Sequence, residues 1–86
     1  MLANFGVIEL ILYTRRDCEL CREMEIVIDE VLSGFPAQMK RVEIDGDASL
    51  EERFGLEVPV LFVNGRKAFK YRCTSRELRI RLAREK

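Results

Sequence analysis

The chain has 86 residues, of which 48% are hydrophobic and 35% charged, with 15 basic and 15 acidic side chains and no histidine. A chain of this length predicts one small domain, residues 1–86, that folds around a modest core. The balanced charge is evidence against nucleic acid or an acidic membrane surface as the partner. Three cysteines are too few for a secreted scaffold held by disulfides, so we expect a cytoplasmic protein.

The N-terminal stretch has no feature of a targeting or membrane-spanning segment. Met1 to Val7 has no basic region, and the apolar run from Val7 to Tyr13 contains Glu9 and is too short to cross a bilayer. Met1 to Gly6 is a short leader to which we assign no structure.

Val7 to Thr14 is mostly apolar and β-rich, which is typical of a strand buried on both faces of a parallel sheet.

The first helix is predicted to begin at Asp17 or Cys18 and to end at Ser33-Gly34. Its apolar residues recur at helical spacing, which predicts one buried face formed by Leu20, Met24, Val27, Ile28 and Val31. Met39 to Asp45 alternates in polarity and predicts a second strand with one wetter face. A strand, a helix and a strand in succession imply that the two strands pair in parallel.

A short second helix is predicted over Ala48 to Phe54. Asp47 or Ser49 can cap its start, and Gly55 can close it in the left-handed conformation. The two large apolar residues of this segment are the expected inward contacts, Leu50 and Phe54.

A β-hairpin is predicted after the second helix. Leu56 to Val63 is an apolar run with Pro59 near its head, and Arg66 to Tyr71 is a second β-rich run. Asn64-Gly65 between them is a strong hairpin signal because both residues tolerate positive φ. The third and fourth strands should therefore be antiparallel.

The last helix begins with a capping box, Thr74-Ser75-Arg76-Glu77. Leu78 and Leu82 lie one turn apart and are expected to face the core, whereas Ile80 lies off that line. The arginines of this helix are interpreted as a solvated face, since arginine is a good helix former and cations suit a helix C-terminus. The order β-α-β-α-β-β-α predicts an α/β fold, a four-stranded mixed sheet with flanking helices.

Cys18 and Cys21 are the candidate catalytic residues. Their C-x-x-C spacing at a helix start puts two thiols within one turn, close enough to form a disulfide with little backbone movement. The unpaired N–H groups and the dipole of a helix N-terminus favour an anion, so a thiolate at Cys18 would be stabilised. A thiolate is the nucleophile of thiol–disulfide exchange.

The cysteine pair at the first strand-to-helix junction and Val58-Pro59 before the hairpin, in this order of elements, resemble the thioredoxin superfamily, most closely the small glutaredoxin-like proteins. The resemblance covers Val7 to Leu82. It implies a thioredoxin-like fold and an oxidoreductase that reduces protein or small-molecule disulfides. It also implies that Cys18 is the exposed nucleophile and Cys21 the more buried resolving thiol. Pro59 would be a cis proline whose loop offers the backbone of Val58 to an extended substrate.

The sequence departs from the family pattern near the cysteines. The chain has no tryptophan to precede the first cysteine, and Glu19-Leu20 stands between the two cysteines. Where glutaredoxins carry a Gly-Gly pair before the last helix that helps to hold glutathione, the corresponding stretch reads Tyr71-Arg72-Cys73-Thr74. Asp17 and Glu19 place two carboxylates beside Cys18, which disfavours a thiolate there.

The candidate substrate-binding residues are Arg16, Val58, Pro59 and Thr74. Arg15 or Arg16 would meet the glycine carboxylate of glutathione, and the N-terminus of the last helix at Thr74 and Ser75 would meet the other carboxylate. No bound cofactor is expected. The resemblance implies a disulfide-containing protein or a small thiol as the substrate, and glutathione or a reductase as the electron donor. We expect a monomer.

Two other functions fit a C-x-x-C pair. Small ferredoxin-like metal chaperones bind a soft ion with such a pair between a first strand and a first helix. Their usual Met-x-Cys-x-x-Cys context is missing here, because Arg16 precedes Cys18 by two residues. Without histidine, and with Cys73 as the one further cysteine, we expect no closed zinc site within one chain, which leaves a metal site shared across a dimer as the form of this alternative. A redox-inactive interaction module is the other alternative. Cys73 itself is expected to be inert.

Overall fold

The computed structural model describes residues 6–85, so the leader from Met1 to Phe5 lies outside the described residues. The elements follow one another in the predicted β-α-β-α-β-β-α order. They are β1 (Ile8–Thr14), α1 (Glu19–Leu32), β2 (Ala37–Glu43), α2 (Ala48–Phe54), β3 (Val60–Val63), β4 (Arg66–Lys70) and α3 (Ser75–Ala83). None of the helices in residues 6–85 has the length and apolar character that crossing a membrane requires.

The four strands form one mixed sheet in the order β2-β1-β3-β4. β1 and β2 are parallel, as predicted, whereas β1 with β3 and β3 with β4 are antiparallel. Because Tyr13 pairs with Val60, Pro59 lies just beyond the C-terminal end of β1. The residues that follow β1 carry the cysteines, so the sheet brings the cysteine motif and the proline loop to the same edge.

The predicted bounds of β2 were wrong by two residues at each end. β2 pairs with β1 from Ile8 opposite Ala37 to Thr14 opposite Glu43. Its extent is therefore set by the length of β1. The alternation from Met39 onward could not show this, because the partner strand and not the local polarity pattern decides where pairing begins.

The sheet has a core on each face. α1 and α3 cover one face, where the buried residues include Leu10, Leu12, Met24, Ile28, Leu61, Leu78 and Leu82. α2 covers part of the other face, where Ile44, Phe54 and Val60 are buried and Tyr13 stacks on Phe54 at 4.4 Å between ring centroids. β1 is fully buried only on the α1 and α3 side, since Glu9 is exposed and Ile11 partly exposed on the other. The expectation of burial on both faces was therefore wrong for that side.

The hairpin and the last helix form as the local sequence predicts. Asn64 and Gly65 have φ of 49° and 83°, as the tight turn between β3 and β4 requires. In α3 the Thr74 hydroxyl accepts from the backbone N–H of Glu77, and the Glu77 side chain accepts from the backbone N–H of Thr74. Both are short-range arrangements that do not depend on distant residues.

Gly55 differs from the prediction. It ends α2 with φ −54° and ψ −35°, in the right-handed and not the left-handed region. The chain continues in a helical turn, in which the N–H groups of Glu57 and Val58 both donate to the carbonyl of Phe54. A Cβ on Gly55 would collide with the carbonyl oxygen of Glu51. The glycine is therefore needed for close backbone approach and not for positive φ.

The apolar run before the hairpin is only partly a strand. β3 comprises Val60–Val63, and Leu56 to Val58 form a turn that leads into Pro59. β4 ends at Lys70, because Tyr71 has φ of 71° and leaves the strand direction. These two irregular segments lie side by side, and they frame the site described next.

Candidate functional site

Cys18 and Cys21 form a disulfide at the start of α1, with 5.2 Å between their Cα atoms. Cys18 is the N-cap residue in an extended conformation, and its Sγ accepts from the backbone N–H of Cys21 at 3.1 Å. Cys21 faces the core and is 2% exposed, whereas Cys18 is partly exposed. An incoming thiol can therefore reach the sulfur of Cys18 far more easily than that of Cys21.

The two carboxylates beside Cys18 have different surroundings. Glu19 pairs with Arg22 at 2.8 Å, one turn further along the helix, so much of its charge is compensated. Asp17 is exposed and has φ of 54°, a left-handed conformation that Asp tolerates better than most residues. Of the two carboxylates adjacent to Cys18 in sequence, Asp17 is therefore the one without a basic partner among the described residues.

Arg15 is partly buried, and its guanidinium is bound within the protein. Its Nη2 donates to the Glu51 carboxylate at 3.0 Å and to the Gly55 carbonyl at 3.2 Å. Sequence reasoning did not identify Glu51 or Gly55 as part of the site. This arginine joins the turn that precedes the cysteines to the end of α2, and so positions the chain leading to Pro59.

Arg16 remains accessible. Its backbone N–H donates to Asp45 at 3.0 Å, which fixes the turn, while its guanidinium lies 3.7 Å from the Glu43 carboxylate. The side chain of Arg16 is 68% exposed. Of the two arginines considered for glutathione, Arg16 is the one with a guanidinium available to a ligand.

The peptide bond between Val58 and Pro59 is cis, as the resemblance implied. The N–H of Val58 donates to the Phe54 carbonyl at 3.1 Å, and the Pro59 carbonyl accepts from the N–H of Tyr71 at 2.9 Å. Within residues 6–85 the carbonyl of Val58 has no such partner. The backbone group of Val58 that is free of such hydrogen bonds among residues 6–85 is therefore its carbonyl oxygen.

Leu56, Glu57 and Tyr71 belong to the same surface. In connection with a site, Tyr71 was named from the sequence only as part of the stretch that replaces the Gly-Gly pair, and Leu56 and Glu57 were given no role. Tyr71 donates its hydroxyl to the Leu56 carbonyl at 3.0 Å, and Leu56 itself is 92% exposed. Glu57 pairs with Lys67 at 2.5 Å and more loosely with Lys70 at 3.9 Å. The hydrogen bond from Lys67 lowers the pKa of Glu57. No local pattern marks a tyrosine that will adopt positive φ, so only the fold reveals this cluster.

Cys73 lines a depression beside the redox pair and is not itself open to solvent. The depression is bounded by Leu20, which stands between the two cysteines, and by Tyr71, Cys73 and Thr74. Cys73 is 8% exposed, and burial raises the pKa of its thiol to about 11, with Glu77 adding to the effect. Its thiol is a poor nucleophile for that reason. This is consistent with the expectation that Cys73 is inert.

Thr74 takes part in the capping box described above, so its own N–H and hydroxyl already have partners. The first-turn N–H groups that remain at this helix end are those of Ser75 and Arg76. Any anion at α3 would therefore be bound next to Thr74 and not by its own backbone N–H.

Residues 6–85 contain no group of three or more His, Cys, Asp or Glu side chains placed to hold a metal ion. The parallel pairing of β1 with β2 and the β2-β1-β3-β4 order also differ from the ferredoxin-like architecture on which the metal-chaperone alternative was based.

A family model described as a glutaredoxin-like domain (DUF836) matches residues 9–83, which include every element described above apart from the first residue of β1. The chain belongs to this glutaredoxin-like family. The matched residues include the cysteine pair, the cis-proline loop and the capped last helix. No curated protein matches the chain at a significant level.

Solved structures agree with this assignment. Protein XcR50 from X. campestris is 36% identical with a TM-score of 0.75, over 86% of this chain and 95% of that one. Protein Ne2328 from Nitrosomonas europaea is 26% identical with a TM-score of 0.71, over 83% and 86% of the two chains. Desulfothioredoxin from Desulfovibrio vulgaris Hildenborough, solved in its reduced form, is 26% identical with a TM-score of 0.69, over 95% and 86%. The glutaredoxin-like protein therefore has the thioredoxin fold, and its Cys18–Cys21 pair indicates a redox function.

Proposed function

We propose that this glutaredoxin-like protein is a thiol–disulfide oxidoreductase that reduces protein or small-molecule disulfides with the Cys18–Cys21 dithiol. The observation that carries the proposal is the asymmetry of the pair, in which a partly exposed sulfur at a helix N-cap is joined to a sulfur that is 2% exposed. Exchange by a dithiol requires one thiol that attacks the substrate disulfide and a second thiol that attacks only the mixed disulfide formed by the first thiol.

The proposed reaction proceeds in two steps. The thiolate of Cys18 attacks one sulfur of a substrate disulfide, forms a mixed disulfide, and displaces the other substrate sulfur as a thiolate that takes up a proton. The thiolate of Cys21 then attacks the Cys18 sulfur and displaces the first substrate sulfur in the same way. The substrate gains two electrons and two protons, and the protein is left with the Cys18–Cys21 disulfide that the structure contains.

The proposed substrate contacts come from three separate segments of the chain. The carbonyl of Val58, held beside cis Pro59, accepts a hydrogen bond from an extended substrate strand. Arg16 supplies an exposed guanidinium for a substrate carboxylate. The start of α3 at Thr74 supplies the third contact through the N–H groups that follow the cap.

The electron donor in this proposal is glutathione or a reductase. Arg15 is the less available arginine for glutathione, because its Nη2 donates to Glu51 and Gly55. Arg16 and the α3 N-terminus are the contacts that remain for the two glutathione carboxylates. Comparing recycling by glutathione with recycling by a thioredoxin-type reductase would decide between the donors.

The proposal is tested by mass spectrometry of the free thiols across a graded redox buffer. We expect a species that has lost two hydrogen atoms, with the new bond mapped to Cys18 and Cys21. This oxidised form should oxidise a dithiol, and the reduced form should reduce a disulfide substrate. The Cys73→Ala variant should behave in the same way, since the Cys73 thiol is buried. Absence of the oxidised species in every buffer would leave the redox-inactive module, and metal retained after purification would favour the metal-binding alternative.

A further inference from the structure

The outward side of α1 is acidic and carries an exposed isoleucine. The helix faces the core through Cys21, Met24, Ile28 and Val31, and at 3.6 residues per turn Ile26 points directly away from them. Ile26 is 67% exposed. Glu23, Asp29 and Glu30 are exposed around it, and none of them pairs with a basic side chain of residues 6–85 within salt-bridge distance. We call Glu23, Ile26, Asp29 and Glu30 the acidic stripe.

The outward side of α3 also carries an exposed isoleucine among charged side chains, but here the charge is positive. Leu78 and Leu82 face the core, and Ile80 points away from them with 53% of its surface exposed. The residues around Ile80 on this side include three exposed arginines, and none of the three forms an ion pair with another of residues 6–85. One exposed acid, Glu77, lies there too, with its carboxylate accepting from the backbone N–H of Thr74, so the side remains basic. We call Arg76, Arg79, Ile80 and Arg84 the basic stripe.

Both stripes lie on one surface of the molecule. The inner sides of α1 and α3 contribute to a single core on the same face of the sheet. The two helices also touch directly, because the Ser75 hydroxyl donates to the Glu30 carboxylate at 2.8 Å. The outer surface of this helix pair therefore has an acidic half and a basic half, each centred on an exposed isoleucine.

We propose that this surface binds a second copy of the chain about a two-fold axis. The acidic stripe of each protomer lies on the basic stripe of the other, and Ile26 packs against the partner's Ile80. A two-fold interface uses the same patch twice, so it requires a surface whose two halves are complementary, and α1 and α3 supply such halves. The proposal goes beyond the redox function and does not depend on it.

Charge complementarity favours a second copy over other occupants. An acidic partner, such as a nucleic acid, would match the basic stripe but would be repelled by Glu23, Asp29 and Glu30 beside it. A basic partner would match the acidic stripe but would be repelled by the arginines of the basic stripe. Taken alone, the last helix gives its arginines the character of a solvated face. Beside the acidic stripe of α1, the same arginines form one half of a self-complementary surface.

The test is sedimentation equilibrium of the full chain, kept reduced so that cysteines cannot join two copies. We expect reversible conversion from the mass of one chain to that of two between about 1 μM and about 1 mM, the range of weak and transient interfaces. Raising the salt concentration from about 0.05 M to about 0.5 M should weaken the association, because the contacts are charged and exposed. A wild-type protein that stays monomeric over this range would overturn the proposal.

Charge reversal provides a sharper test. The variant Arg76→Glu/Arg79→Glu has two acidic stripes, and the variant Glu23→Lys/Asp29→Lys has two basic ones. Each alone should associate at least about tenfold more weakly than the wild type, while an equal mixture should form a heterodimer in which both contacts are attractive. The changes at Arg76 and Asp29 agree with the helix dipoles, so both variants are expected to fold.

A matched control separates this interface from general attraction between oppositely charged proteins. Glu9→Lys/Glu52→Lys changes the net charge by the same amount at exposed positions outside α1 and α3. Mixed with Arg76→Glu/Arg79→Glu, it leaves one contact attractive and makes the other repulsive, so it should associate at least about tenfold more weakly than the complementary pair of variants. Equal association in the two mixtures would contradict the proposal. Ile26→Ser and Ile80→Ser, which keep every charge, should each weaken the wild-type dimer, whereas Leu56→Ser should not.

Discussion

The Sγ of Cys18 accepts a hydrogen bond from the backbone N–H of Cys21 at 3.1 Å, so the N-cap of α1 and the exposed sulfur of the candidate redox pair are the same atom. A hydrogen bond to an ionised acceptor is stronger than one to a neutral acceptor. The contact therefore strengthens when the Cys18–Cys21 disulfide opens to a Cys18 thiolate. The start of the helix is stabilised by the same negative charge that the exchange reaction requires.

Two substitutions of Cys18 separate the capping role from the chemical role. Neither Cys18→Ser nor Cys18→Ala should catalyse exchange, because both lack the nucleophile. The serine hydroxyl can still cap α1, so Cys18→Ser should be more stable than Cys18→Ala by about 1 kcal/mol. Urea unfolding of the two variants measures the difference, and equal stabilities would show that the cap contributes nothing.

Cys21→Ser should trap the first intermediate. Cys18 can still attack a substrate disulfide in this variant, but no second thiol is available to displace the product. A mixed disulfide at Cys18 should accumulate and be visible as a mass increase under non-reducing conditions. The double variant Cys18→Ser/Cys21→Ser is the control, and an adduct that persists in it would place the reactive thiol at Cys73.

The buried thiol of Cys73 predicts a loss of stability at alkaline pH. Burial raises the pKa of this thiol to about 11, whereas the same thiol in the unfolded chain has a pKa of about 8.5. Its contribution to stability is present below about pH 8.5 and is lost as the pH rises through about 11, since only the unfolded chain can ionise freely in that interval.

The measurement is the free energy of unfolding as a function of pH for the wild type and Cys73→Ala. The advantage of the wild type should shrink as the pH rises from about 8.5 to about 11, and the subtraction removes the lysines and tyrosines that titrate in both proteins. A difference that does not change with pH would mean that the thiol is accessible to solvent.

Substitutions of Gly55 can show whether the position needs glycine for close backbone approach or for positive φ. A Cβ would collide with the Glu51 carbonyl and would also lie 3.3 Å from Arg15 Nη2, so Gly55→Ala should destabilise the protein by about 1–3 kcal/mol. Asn rescues a left-handed glycine position but not a crowded right-handed one. Gly55→Asn should therefore be no more stable than Gly55→Ala, and a clearly milder effect of Asn would favour the left-handed conformation.

Several features follow from the sequence alone because their causes lie within a few residues. The Asn64-Gly65 turn, the Thr74 capping box and the extent of α2 were each predicted from neighbouring side chains, and the structure confirms them. The parallel pairing of β1 and β2 followed from the intervening helix. The cysteine pair was placed at the start of α1 by its spacing and by the apolar periodicity after it.

Other features were decided only by tertiary structure. A cis and a trans bond before Pro59 differ little in energy locally, so the isomer depends on what the surrounding chain accommodates. Arg15 lies in a turn like its neighbour Arg16, yet the approach of α2 gives it two internal acceptors and leaves Arg16 exposed. The positive φ of Tyr71 likewise follows from its bonds to Pro59 and Leu56. Short-range sequence patterns fix where helices and turns begin, whereas contacts between distant segments fix which groups around Cys18 remain free for a substrate.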